Sequence, residues 1–194
     1  MTYIDLSHFF GPTMPGYPGD PPSGLRVAGY TDEAQACPLF ELTTGMHVGT
    51  HLDAPLHFVP GGADISTLPV SRFVGCGVLI DARGRTSIGV AALEGVELRP
   101  GDLALVCSGW SARFREANYY HDYPEVTTEF AEALIGARVS LLGLDTPSPD
   151  RAPYAIHRLL FSSNVLIVEN LTNLDALIGV PEFEVFSLPM RIQA

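Results

Sequence analysis

The stretch from Met46 to Phe58, M-H-V-G-T-H-L-D-A-P-L-H-F, restricts what this chain can fold into more than any other segment. It holds three of the six histidines, His47, His51 and His57, together with Asp53. In a regular strand these odd-numbered positions share a face but spread over roughly 30 Å, too far for one site. In a regular helix His47 and His51 stack at i and i+4, while Asp53 and His57 point to nearly the opposite side. Gly49 permits unusual backbone angles and Pro55 interrupts a ladder, so the segment is expected to curve around a common centre. Imidazoles with a carboxylate suit zinc, manganese or iron better than magnesium or calcium, which call for oxygen ligands throughout.

A curve of that kind needs a rigid frame. Strand-like runs lie at Tyr3 to Leu6, Leu39 to Thr43, Gly77 to Asp81, Asp102 to Cys107, Ser140 to Leu144, Val165 to Val168 and Glu184 to Ser187. Between them, Phe130, Ala131, Leu134 and Ile135 form an apolar stripe that predicts a helix over Thr128 to Ala137, stopping near Gly136. A second helix is expected from Pro153 through Tyr154, Ile156, His157, Leu159 and Leu160. The proline- and glycine-rich stretch F-F-G-P-T-M-P-G-Y-P-G-D-P-P excludes a helix and suits a loop walling a pocket. Strands interleaved with helices, over 194 residues that are 46% hydrophobic, point to a single mixed α/β domain with helices on a mostly buried central sheet.

Charge narrows the partners. Eleven basic side chains against 22 acidic ones leave a formal charge of −11, which repels polyphosphate and anionic membrane and excludes nucleic acid as a main partner. Asp5 and His8 stand where a signal peptide needs a basic end and an apolar run, and no stretch approaches the length of a membrane span, so a cytoplasmic protein is expected. Cys37, Cys76 and Cys107 form no C-x-x-C pair and read as buried, reduced thiols.

The segment H-V-G-T-H-L-D-A-P-L-H-F resembles the H-x-G-T-H-x-D-x-P-x-H signature of the metal-dependent cyclase-like hydrolases, a family that includes bacterial kynurenine formamidases and isatin hydrolases. Y-I-D-L-S near the start, P-G-Y-P-G-D at Pro15 to Asp20, S-G-W at Ser108 to Trp110 and G-L-D-T-P-S-P-D at Gly143 to Asp150 resemble family landmarks in the same order. The resemblance implies that His47, His51 and Asp53 bind metal and that His57 is the acid/base. It implies a second metal site from His157 and Glu169, which stand twelve residues apart in H-R-L-L-F-S-S-N-V-L-I-V-E. It also implies one α/β domain of the swivelling β/β/α type over residues 1–194, one or two Zn2+ or Mn2+ ions per chain, and a homodimer or larger homo-oligomer. Tyr17 stands where the formamidases often carry tryptophan, which marks it as a substrate-binding candidate.

The expected activity is hydrolysis of a small amide, formamide or lactam by metal-activated water, with His57 passing the proton to the leaving nitrogen. Ser108 lacks the G-x-S-x-G setting of a nucleophile and reads as a strand-end or pocket-wall residue. Asp145, Ser148 and Asp150 fit turn-forming hydrogen bonds as well as support of a metal ligand. Phe9, Phe10, Tyr17, Phe40, Phe58 and Trp110 offer surface for a planar aromatic amide or lactam, and each fits a core equally well. The run Tyr119 to Tyr123 reads as a surface loop, with His121 outside the ligand set. Two other readings stay open: a non-haem iron oxygenase using His51, Asp53 and His157, and a metal-binding module without catalysis.

Overall fold

The computed structural model describes residues 2–32 and 37–193. Its frame is a six-stranded mixed sheet whose strands lie in the order Phe183–Phe186, Val74–Asp81, Leu103–Cys107, Leu141–Leu144, Leu166–Glu169 and His51–Asp53. Four parallel strands form its middle: β4 (Val74–Asp81), β6 (Leu103–Cys107), β8 (Leu141–Leu144) and β9 (Leu166–Glu169). The last three are buried on both faces and apolar except for Glu169 at the end of β9, as suits interior parallel strands. Antiparallel edges close the sheet, β10 (Phe183–Phe186) beside β4 and β3 (His51–Asp53) beside β9.

Two helices cover one face. In α1 (Thr128–Ala137), Phe130, Ala131 and Leu134 are buried, and Thr127 caps the start by accepting the Phe130 N–H. The helix runs through Gly136 and closes at Arg138, whose backbone is left-handed. In α2 (Ala155–Ser162), Ile156, His157, Leu160 and Phe161 are buried; Tyr154, itself left-handed at φ 60°, precedes it, so the helix begins two residues after Pro153. The apolar side chains of both helices pack with Ile80, Ala104, Val106, Leu142, Leu144 and Ile167 into one core. On the other face Leu103, Leu105, Leu141, Leu166 and Val168 meet Leu174, Leu177 and Val185. That face is only partly covered, and a groove of about 2280 Å³ opens along it between the N-terminal segment, β4 and the C-terminal residues.

Several expectations change. Tyr3 to Leu6 form no strand; the segment pairs through a single bridge from Ser7 to Leu171. Unexpected strands appear at β1 (Gly24–Tyr30), β5 (Ser87–Ile88) and β7 (Glu125–Val126), β5 and β7 pairing in parallel. β1 and β2 (Pro38–Thr43) make a separate hairpin in which Leu25 pairs with Leu42 and Val27 with Phe40. All four of those apolar side chains are exposed. Cys107 is buried as expected, whereas Cys37 and Cys76 are exposed because neither lies in the core. Among the described residues, no helix is long and apolar enough to cross a membrane.

Candidate metal centre

The centre forms where the carboxyl end of β9 meets the edge strand β3. His51, Leu52 and Asp53 pair with Glu169, Val168 and Ile167, so three residues of regular strand put His51 and Asp53 on one face. Gly49 turns the chain just before, at φ +67°, a conformation disfavoured for residues bearing a Cβ. Pro55 then opens a 3-10 turn over Pro55–His57 that swings His57 back over the strand. The rings of His47 and His57 stack with centroids 4.0 Å apart. The curved segment expected from the sequence is therefore a glycine turn, a three-residue strand and a proline-initiated turn.

The distal residues come from the neighbouring strand and its helix. Glu169 ends β9, and His157 sits on the buried side of α2, with Nε2 3.2 Å from Glu169 Oε1. His51 Nε2 lies 3.3 Å from Glu169 Oε2 and 3.5 Å from Asp53 Oδ1, and His47 Nδ1 lies 3.0 Å from that same Asp53 oxygen. Two donor groups result, His47 with His51 and Asp53, and Asp53 with His157 and Glu169; within each, one ligand atom per residue lies within 4.8 Å of the others. Asp53 belongs to both.

These donors fit a divalent cation. His51 Nε2 and Asp53 Oδ2 are buried without a hydrogen-bond partner, a costly arrangement that an ion between them would relieve. The charges agree. Burial alone would push the His51 imidazole down, but Asp53 and Glu169 overrule it and hold it up at about 9. His157 is likewise lowered by burial and raised further, to about 9, by Asp150 and Glu169. Asp53 is pushed up by burial and pulled down by His51 and His47, to about 2. Buried carboxylates thus require positive charge beside them, which protons supply until a metal ion displaces them. Nitrogen and oxygen donors without sulfur suit the expected zinc or manganese.

His57 is exposed on the open side of the cluster. Partial burial lowers its pKa, with Asp53 opposing the shift. Aromatic groups surround it: Phe58 lies 4.4 Å from His57 and 4.6 Å from His157 between ring centroids, and Tyr154 packs 5.1 Å from Phe58. The Tyr17 hydroxyl comes within 3.4 Å of the Tyr154 hydroxyl, and the Tyr17 ring meets Tyr120 edge-on. Of the aromatic candidates, Phe58 packs on His57 and His157, and Tyr17 is joined to this side of the centre through Tyr154. Phe9 is exposed elsewhere, Phe40 sits on the hairpin, and Phe10 and Trp110 pack with Met14, Val48, Phe114 and Tyr119.

Tyr119 to Tyr123 is not the surface loop that its polarity suggests. Tyr119 and Tyr123 are buried, and the Tyr119 hydroxyl donates to Asn170 Oδ1 at 2.8 Å, next to Glu169. His121 stays exposed, outside both donor groups. Ser108 donates its hydroxyl to Asp145 Oδ1 at 2.5 Å, which ties the ends of β6 and β8 together. Asp150, by contrast, reaches the centre directly through His157, at 2.6 Å.

Residues 4–151 match the family described as "Putative cyclase". The chain belongs to the cyclase family. A kynurenine formamidase of Bacillus cereus is 30% identical over 194 residues, covering 98% of this chain and 90% of that protein. A structure described as a potential metal-dependent hydrolase with cyclase activity is 27% identical, with a TM-score of 0.78 over 98% of this chain and 90% of that one. Isatin hydrolase A of Ralstonia solanacearum is 26% identical, with a TM-score of 0.84 over 98% and 86%.

Proposed function

We propose that this amidohydrolase opens a small planar amide, an aryl formamide or a lactam, using one or two Zn2+ or Mn2+ ions held by His47, His51, Asp53, His157 and Glu169. The observation that carries this reading is the pair of donor groups sharing Asp53 beside a histidine that neither group uses. Ions held there would polarise the substrate carbonyl and acidify a water molecule. His57, neutral at physiological pH, can accept a proton at a ring nitrogen and return it to the departing amide nitrogen. Phe58, Tyr17, Tyr120 and Tyr154 form an aromatic wall suited to a flat substrate, and the Tyr17 and Tyr154 hydroxyls can orient its polar edge. The oxygenase reading uses only His51, Asp53 and His157, leaving His47 and Glu169 without a role, and a closed metal module leaves His57 without one.

Assembly belongs to the same proposal. An isolated two-stranded hairpin is marginal in water, yet β1–β2 exposes Leu25, Val27, Tyr30, Leu39, Phe40 and Leu42. The chain also leaves an apolar groove open on its sheet, so a second copy is the proposed partner for both surfaces. The cytoplasm is the proposed compartment. Metal analysis, sedimentation and assays on N-formylkynurenine, isatin and simple lactams test the reading together. Turnover of none of these by the metal-loaded protein would defeat the substrate assignment, and a monomer at micromolar concentration would defeat the assembly.

A further inference from the structure

The two buried histidines of the centre are backed by different groups. His51 Nδ1 lies 2.8 Å from the carbonyl oxygen of Gly49, whereas His157 Nδ1 lies 2.6 Å from Asp150 Oδ1. Asp150 is only 5% exposed and belongs to neither donor group. Its second oxygen, Oδ2, accepts the N–H of Ile156 at 2.7 Å, in the first turn of α2. Its backbone carbonyl is held in turn, accepting the Ser148 hydroxyl at 2.7 Å and the Tyr123 hydroxyl at 3.1 Å. One fixed carboxylate therefore accepts the helix-start N–H at one oxygen and faces the imidazole Nδ1 with the other.

The choice of residue at 150 is informative. A group serving only the helix start could be asparagine as readily as aspartate, since both accept an N–H there. Asparagine has a single acceptor oxygen; if it took the Ile156 N–H, its amide NH2 would face His157 Nδ1, and the reverse pairing would leave Ile156 confronting a donor. A carboxylate offers a separate oxygen to each nitrogen. With one proton kept on Nδ1, the proton that an arriving ion displaces is the one on Nε2, the nitrogen that faces Glu169 Oε1.

We propose that Asp150 is a positioning residue for the second ion, holding His157 in the tautomer whose Nε2 faces Asp53 and Glu169. This rests on the metal reading above. Asp150 touches no substrate, and its influence should be confined to the ion bound by Asp53, His157 and Glu169. His47 and His51 do not contact it among the interactions of the described residues, so the first ion should be indifferent to it.

The test compares the full-length wild type with Asp150→Asn and Ser148→Ala, each stripped with a chelator and titrated with Zn2+ alone and Mn2+ alone. Stoichiometry is read by elemental analysis and affinity by competition with a chromophoric chelator. In Asp150→Asn, one of two ions should weaken by about 10- to 100-fold, and the other should bind as in wild type. With Mn2+, the spectrum of a coupled pair should give way to that of an isolated ion. Ser148→Ala, which loses the bond to the Asp150 backbone carbonyl but leaves the Asp150 carboxylate in place, should bind both ions normally. Wild-type affinities in Asp150→Asn, with two ions bound by wild type, would overturn the positioning role and leave the metal site standing; absence of any ion from wild type would defeat the metal reading itself. Should Asp150→Asn fail to fold, 15N shifts of His157 in the zinc-loaded wild type decide: a proton on Nδ1 supports the role, and a proton on Nε2 overturns it.

Discussion

His51 and Glu169 stand opposite each other in the β3–β9 register, and His51 Nε2 lies 3.3 Å from Glu169 Oε2. An antiparallel pair puts directly facing residues on the same side of the sheet, so one backbone register unites residues from distant parts of the chain. Asp53, two positions along, joins the same face. Replacing His51 or Asp53 with alanine should remove ligands from the first donor group, and for Asp53 from both. Each variant should lose bound metal by elemental analysis and hydrolyse no amide above background; full metal content in His51→Ala would remove it from the site.

His157 and Glu169 can be separated from that first group. Joint replacement by alanine and glutamine should lower the stoichiometry from near two ions per chain to near one, because His47, His51 and Asp53 remain. Circular dichroism should show the wild-type fold, since the α2 core rests on Ile156, Leu160 and Phe161 rather than on the imidazole. An unchanged metal count would exclude both residues as ligands.

Tyr119 tests the anchoring of the segment that carries Tyr120 rather than the metal. Its buried hydroxyl donates to Asn170 Oδ1, and the Asn170 carbonyl oxygen accepts the Thr50 hydroxyl at 2.5 Å, linking the 119–123 segment, the end of β9 and the approach to β3. Tyr119→Phe leaves the amide oxygen of Asn170 without that donor and should cost about 1–3 kcal/mol, measured by urea denaturation of the metal-free protein. A loss below about 0.5 kcal/mol, the ordinary scatter of surface substitutions, would show that the bond does not hold the segment.

What the sequence could convey follows from the range of each interaction. The buried strands β6, β8 and β9 and the helix α1 announce themselves through local hydrophobic pattern, and their observed bounds lie within a residue of expectation. Three of the candidate ligands, His47, His51 and Asp53, crowd into one segment, so spacing points to the candidate site, and resemblance to the family supplies the distal pair. The strand at His51–Asp53 was hidden because it is only three residues long and exists through its pairing with β9. Tyr119 and Tyr123 were hidden for a similar reason: their polar neighbours suggest a loop, while the partners of their hydroxyls, Asn170 and Asp150, lie more than twenty residues away. Asp150 was seen as one member of a turn, and only the fold shows His157 seated on it.

His57 stacks on one candidate ligand, His47, without belonging to either donor group. A proton shuttle contributes roughly 10²- to 10⁴-fold to rate. His57→Ala should therefore keep its metal and fold and lose kcat on amides within that range. Partial burial lowers the imidazole's pKa, so it acts as a base until the solution becomes acidic enough to protonate it. The wild-type rate should fall on that acidic limb, and the variant should lack the limb. An activated ester, whose leaving group departs without a proton, should recover part of the rate, while amides with poor leaving groups should suffer most. If the variant instead loses metal in proportion to activity, His57 is a ligand and the proton must travel through another group.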